Sequence, residues 1–156
     1  MSAVGTLAYV GLGSNLGHPF QQIHRALRWL DLQPGTRLLR AAPLAVTEPV
    51  GPPQPNYVNT VAELRTSLSP VGLLRALQRL ERAAQRRRNV RWGARTLDLD
   101  LLFHGHHAID HPDLALPHPG VPERRFVLEP MAHLAPNFRH PLLDQTMADL
   151  LLALDA

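Results

Sequence analysis

Arg91-Trp92-Gly93-Ala94-Arg95-Thr96-Leu97-Asp98-Leu99-Asp100-Leu101-Leu102 decides how this chain is read. Its second half alternates. On an extended strand successive side chains point to opposite faces, so Leu97, Leu99 and Leu101 fall on one side and Asp98 and Asp100 on the other. The leucine side belongs in a core. The aspartate side sets two carboxylates next to one another, and like charges that close repel unless a cation lies between them. Oxygen ligands suit a hard cation, and Mg²⁺ completed by phosphate oxygens is the natural occupant. The arginines just upstream have the planar fork that matches phosphate groups. The stretch therefore points to Mg²⁺-nucleotide chemistry on one face of a strand.

The segments on either side supply the rest of a sheet. Leu7 to Gly13 reads as a buried first strand, and Ser14-Asn15-Leu16-Gly17 as a turn. Residues 19 to 31 carry Phe20, Ile23, Leu27 and Leu30 at helical spacing, and Pro34-Gly35 ends that helix. A strand follows at 36 to 41, and residues 43 to 46 continue it beyond a bulge. Four prolines and a glycine between Thr47 and Asn56 exclude helix and central strand, leaving a stiff loop. Tyr57 to Leu64 is a strand. Ser69-Pro70 is a helix N-cap and first residue, with helix to Gln85 burying Leu73, Leu74, Leu77, Leu80 and Ala84. The arginine-rich segment 86–95 leads into the aspartate strand. His104 to His107 is a turn, Ala108-Ile109-Asp110 a short return strand, and Leu116 to Gly120 a second rigid loop. Helices are expected near 122 to 134 and 145 to 154. The order β-α-β-β-α-β makes an α+β, ferredoxin-like antiparallel sheet with helices on one face. The additional C-terminal helices can cover the other face, giving α/β/α layers.

The 156 residues are expected to form one domain, with no room for a second catalytic unit. No apolar run is long enough for a membrane helix, and the N-terminus lacks a basic leader, so a cytoplasmic protein without membrane partners is expected. Cysteine is absent, which excludes disulfides and thiolate chemistry. All 16 basic Lys/Arg positions are arginine. That excludes a P-loop lysine, a Schiff-base lysine and a lysine general base. Phosphate must be held by arginine, histidine, backbone N–H or metal.

Several motifs then coincide. Gly11-Leu12-Gly13-Ser14-Asn15-Leu16-Gly17 opens the chain. Thr47-Glu48-Pro49-Val50-Gly51 and Gln54-Pro55-Asn56-Tyr57-Val58-Asn59 fill the middle loop. The arginine–aspartate string, Leu116-Pro117-His118-Pro119, and Arg124-Arg125-Phe126-Val127-Leu128-Glu129-Pro130 complete the set. Together, from about Ala8 to Pro136, they resemble the 6-hydroxymethyl-7,8-dihydropterin pyrophosphokinases of folate biosynthesis. The resemblance implies transfer of an intact pyrophosphoryl group from ATP to the pterin hydroxymethyl oxygen, release of AMP, and two Mg²⁺ ions.

It also assigns roles. Asp98 and Asp100 are the metal ligands. Arg86, Arg88 and Arg95 are the phosphate clamp, and His118 a contact near the α-phosphate. Trp92 is a candidate to close over the site and exclude water, with core packing as its alternative. Gln78 and Glu81 match positions near the nucleotide. Tyr57 and Phe126 match a stacking pair for a flat heterocycle, and Asn59 offers donor and acceptor to its amide edge. Thr47, Pro49, Val50 and Gly51 shape the wall. The sequence departs from the family at three places. Gln85 stands where a glycine usually precedes the first arginine, the Arg88–Trp92 segment is one residue shorter, and Ala94 replaces a common proline.

A histidine metal site at His104, His106, His107 and His111 is set aside, because the spacing is not that of zinc ligands. The main rival is a nucleic-acid module, invited by a basic isoelectric point near 10.5 on this fold. Against it, the candidate central strands lack the aromatic RNA-binding pattern. Asp98 and Asp100 would also stand where a phosphate backbone must lie. Small-molecule substrates, no nucleic acid, and a monomer are therefore expected.

Overall fold

The computed structural model describes residues 5–49, 53–86 and 97–156. The elements in order are β1 (Thr6–Ser14), α1 (Pro19–Leu32), β2 (Thr36–Ala41), β3 (Ala45–Thr47), β4 (Tyr57–Thr66), α2 (Pro70–Arg86) and β5 (Asp98–His104). A hairpin of β6 (Ile109–His111) and β7 (Leu114–Leu116) follows. Then come a 3-10 turn at Val121–Glu123, α3 (Arg125–Leu134) and α4 (Met147–Asp155).

The main sheet runs β2-β4-β1-β5 and is antiparallel throughout. Inserting β4 between β1 and β2 gives the expected split β-α-β arrangement. β2 pairs with the far half of β4, and β3 pairs Ala45–Thr47 with Tyr57–Asn59 at its start, so one edge is built from two short strands.

The period-2 pattern sorts side chains onto two faces. Ala8, Val10 and Leu12 of β1 join Ala62 and Leu64 of β4 and Leu99 and Leu101 of β5 on one face. Ile23, Ala26, Leu27 and Leu30 of α1 and Leu73, Leu77, Leu80 and Ala84 of α2 seal them. The opposite face carries Tyr9, Val61, Leu102 and Phe103, covered by Val127, Leu128, Met131 and Leu134 of α3 and Met147 and Leu150 of α4. The C-terminal helices thus form the third layer.

Local chemistry fixes the joints. Gly35 turns the chain from α1 into β2 with φ +71°, where a Cβ would stand 2.3 Å from Ser67 Oγ. Ser69 Oγ accepts the Gly72 N–H at 3.0 Å, capping α2 as expected. Thr146 and Asp149 form a reciprocal capping box on α4.

The structure corrects four readings. Phe20 is 51% exposed, and Gln22 and Ala26 take buried positions on α1 instead. The strand expected at 108–110 is β6, and it pairs with β7 rather than returning onto the main sheet. Leu116 belongs to that hairpin, so the rigid loop starts at Pro117, after a cis Leu116–Pro117 bond. The first C-terminal helix is split, because Arg124 is extended (φ −112°, ψ 107°) between the 3-10 turn and α3.

A bulge interrupts β5. Tyr9 pairs with Phe103 and Val10 with Leu101, which leaves Leu102 as the extra residue. Leu102 and Phe103 consequently both lie on the α3/α4 face, although adjacent in sequence.

Candidate active site

The register places the site. In one row across three strands Gly13 lies between Asn59 and Asp98, and in the next Gly11 lies between Val61 and Asp100. Directly opposed residues share a face. The two aspartates and Asn59 therefore project from the same side of the sheet, with two glycines of β1 between them. Over these rows lies a cavity of about 670 Å³, bordered by the start of α3. Its size suits a small-molecule ligand.

Asp98, Asp100, Glu81, Thr47, Pro49, Tyr57, Asn59 and Phe126 all line this cavity. β3 supplies Thr47, the start of β4 supplies Tyr57 and Asn59, β5 the aspartates, and α3 Phe126. Asn59 is 8% exposed and its Nδ2 donates to Thr47 Oγ1 at 2.5 Å. Gly13 is required here by space, because a Cβ would stand 2.9 Å from Asn59 Oδ1. Asn15 at the end of β1 anchors the proline loop. Its Nδ2 donates to Gln54 Oε1 at 2.9 Å and to the Pro55 carbonyl at 3.2 Å.

Asp100 is half-exposed, with His118 Nε2 at 4.0 Å from its Oδ1. The His118 backbone is tied to β5, its N–H donating to the Leu102 carbonyl at 2.9 Å. Its Nδ1 accepts the Gly120 N–H at 3.0 Å, so in the neutral ring the proton sits on Nε2, facing Asp100. Burial lowers the His118 pKa below its ordinary 6.5; Asp100 pulls it up and Arg124 pushes it down. The neutral, Nε2-protonated form prevails at neutral pH. It is a hydrogen-bond donor aimed at the aspartate end of the cavity.

Not every expected residue gathers here. Gln78 is exposed and lines a separate groove of about 760 Å³ between α2 and the β6–β7 hairpin, with Arg75, Arg79, Arg82, His111 and Asp113. Arg86 is the last residue of α2. Val50, Gly51, Arg88, Trp92 and Arg95 lie outside the described residues, as does the side chain of Arg86. The histidines set aside above take structural contacts. His104 is buried with Nε2 2.8 Å from the Leu68 carbonyl, and His106 stacks on Phe138.

Sequence reasoning missed Arg124, which lines the cavity, lies 5.8 Å from the Phe126 ring centroid in a cation–π contact, and depresses the His118 pKa. It also missed Glu48, Gln54 and Glu123 as lining residues. For Arg124 the signal was present, as it stands two residues before the Phe126 assigned to the wall.

The donor set fits Mg²⁺. Asp98 and Asp100 are hard oxygen ligands on one face beside an open cavity. Among the described residues no three acidic or histidine side chains converge into a self-sufficient metal cage. Ions held here would take their remaining ligands from phosphate oxygens and water.

The model of the 7,8-dihydro-6-hydroxymethylpterin-pyrophosphokinase (HPPK) family matches residues 9–136. The chain belongs to this family. A Pseudomonas aeruginosa relative named 2-amino-4-hydroxy-6-hydroxymethyldihydropteridine pyrophosphokinase is 49% identical over 134 residues, covering 85% of this chain and 83% of the relative. A Haemophilus influenzae protein of the same name is 42% identical over 135 residues, covering 86% and 84%. The Schizosaccharomyces pombe folic acid synthesis protein fol1 is 37% identical over 96% of this chain, which corresponds to 21% of that longer protein. Among solved structures, Plasmodium falciparum HPPK-DHPS with pteroate superposes with a TM-score of 0.77 over 98% of this chain and 43% of that one, at 13% identity. That likeness concerns the fold alone. The chain is an ATP-dependent pyrophosphokinase acting on hydroxymethyldihydropterin in folate biosynthesis.

Proposed function

We propose that this pyrophosphokinase binds the pterin between Tyr57 and Phe126 and presents its hydroxymethyl group to the aspartate end of the cavity. The hydroxymethyl oxygen bonds to the β-phosphorus of ATP as the bond from that phosphorus to the α,β-bridging oxygen breaks. AMP leaves, and the hydroxyl proton passes to solvent. The observation that carries this reading is the alignment of Asn59 with Asp98, across Gly13, on one face of the sheet. It joins a heterocycle-recognising amide to a metal-binding pair within one cavity.

Asp98 and Asp100 would hold two Mg²⁺ ions, which supply charge neutralisation for the triphosphate when bound. Phosphoryl transfer needs positioning and electrostatic stabilisation more than covalent help. The chain's own residues provide both. Asn59, fixed by Thr47, reads the pterin edge, and Thr47 and Pro49 with Val50 and Gly51 form the wall. His118 donates from Nε2 toward the α-phosphate without adding charge. Arg86, Arg88 and Arg95 clamp phosphate oxygens, and Trp92 closes over them. Gln78 and its groove receive the nucleoside, with Glu81 between groove and cavity. The expected partners are small-molecule substrates, and the expected state is a monomer. The proposed setting is the cytoplasm. No helix among the described residues is long and apolar enough to cross a membrane.

Product analysis with MgATP and 6-hydroxymethyl-7,8-dihydropterin tests the reading. Pterin-dependent AMP with diphosphate on the pterin is expected. ADP would mean attack at the γ-phosphorus and a wrong placement of the hydroxymethyl group.

A further inference from the structure

β5 is the outer strand of the main sheet: β1 pairs with one of its edges, and α2 packs beside it. On that outer edge Glu81 Oε2 accepts the Leu99 backbone N–H at 2.8 Å. Leu99 is the residue between Asp98 and Asp100. Antiparallel ladders alternate, so with the Leu99 N–H directed outward, the backbones of Asp98 and Asp100 are the ones that bond inward to β1. The aspartate segment is thus gripped from both sides, by the Gly11–Gly13 backbone and by one carboxylate.

The position of Glu81 on α2 is unusual for an acid. It stands one turn after Leu77 and one before Ala84, both in the helix–sheet core. It also lines the cavity that holds both aspartates. A third carboxylate beside two others adds repulsion. The 2.8 Å charge-assisted bond to an otherwise unladdered N–H offsets part of that repulsion.

We infer that Glu81 is a positioning residue for the metal pair, clasping the outer edge of β5 so that Asp98 and Asp100 keep a fixed separation and direction. The inference rests on the reading that those two aspartates hold Mg²⁺. α2 ends at Arg86, five residues beyond Glu81, so the clasp also ties the helix leading into the arginine segment to the strand carrying the aspartates.

Two substitutions separate acceptor from charge. Glu81→Gln keeps a carbonyl oxygen for Leu99 and loses the charge. Glu81→Met keeps the approximate volume and loses the acceptor, with Glu81→Ala as substitute should the Met variant not fold. The first readout is amide hydrogen exchange of Leu99 in metal-free protein. It should stay slow in wild type and Glu81→Gln and become about tenfold faster or more in Glu81→Met. The second is the Mg²⁺ concentration for half-maximal turnover. Outer partners of metal ligands are typically worth about 10–100-fold, so Glu81→Met should raise it by that factor while Glu81→Gln stays within about threefold and the pterin KM holds.

An unchanged Mg²⁺ requirement in Glu81→Met overturns the clasp. So does a Glu81→Gln variant as impaired as Glu81→Met, which would assign the role to charge. If wild type itself shows no Mg²⁺ dependence, the metal reading falls, while the Leu99 exchange result still reports on the bond.

Discussion

One face of one sheet carries two opposite solutions for a carboxylate. At the closed end a single row crosses four strands: Arg40, Glu63, Tyr9 and Phe103. Glu63 is 7% exposed and fully partnered. Tyr9 donates to its Oε2 at 2.7 Å, and Arg40 donates to both its oxygens at 3.2 Å and to the Leu134 carbonyl. Burial alone would push the Glu63 carboxyl up, but the Arg40 and Tyr9 hydrogen bonds and the Arg40 charge hold it below its ordinary value. One row along Asp100, and two rows along Asp98, face a cavity, and Asp100 is half-exposed beside a neutral histidine. The difference lies in β1. Tyr9 fills its row and invites α3 and α4 to close over it, whereas Gly11 and Gly13 leave theirs open. The carboxylate matched by Arg40 and Tyr9 builds structure, whereas the two aspartates line a cavity open to a ligand.

Breaking the open end should have the largest effect. Asp98→Ala or Asp100→Ala should lower turnover more than about 100-fold, beyond what the loss of an outer-shell partner costs. Circular dichroism and melting temperature should stay near wild type. Retained activity in both variants would remove the two-metal reading.

The closed end should answer in stability instead. Tyr9→Phe removes a buried hydrogen bond to a charged acceptor, a loss of about 1.5–3 kcal/mol, with kcat unchanged. Urea unfolding checks the first part and steady-state kinetics the second.

Filling the open end without touching a carboxylate sharpens the contrast. Gly13→Ala places a methyl against Asn59 and should raise the pterin KM about tenfold, equivalent to about 1.4 kcal/mol. The ATP KM should hold, and pterin titration at saturating ATP measures the shift. An unchanged pterin KM would mean that Asn59 does not read the pterin.

The smallest effect is one of pH. The folded pKa of Glu63 lies below its unfolded value of about 4.5, so its stabilisation is complete above that value and is lost as pH falls through the folded pKa. Wild type should lose unfolding free energy below about pH 4.5 faster than Glu63→Gln does. Parallel pH profiles of the two would show that Glu63 contributes no linked proton.

Much of this was legible from residues alone. The alternation of Leu97, Leu99 and Leu101 with Asp98 and Asp100 announced both faces of β5, and the leucine spacing of α2 announced its buried side. These signals survive because one period dominates each segment. Phe20 misled because an apolar residue in the first turn of a helix can still lie beyond the sheet edge. The β6–β7 pairing was invisible because three-residue strands carry too little pattern to name a partner. Within the site, the motifs that carry Asn59, Tyr57 and Asp100 named residues that the structure brings to one cavity. The Glu81–Leu99 bond and the ring orientation of His118 did not, because each depends on a backbone N–H that sequence cannot aim.

The bulge at Leu102 has a consequence for how such a site can change over generations. Residues 98–101 keep their faces whether or not Leu102 is present, since Leu101 already opposes Val10 and Phe103 already opposes Tyr9. A single insertion or deletion between Asp98 and Leu101 would instead exchange leucines for aspartates along the strand. The chain thus holds one position where length is free, next to four where it is not. Because the Leu102 side chain lies over Gly11 at the cavity floor, that free position sets depth. The room offered to a ligand and the geometry offered to a cation are therefore independently heritable.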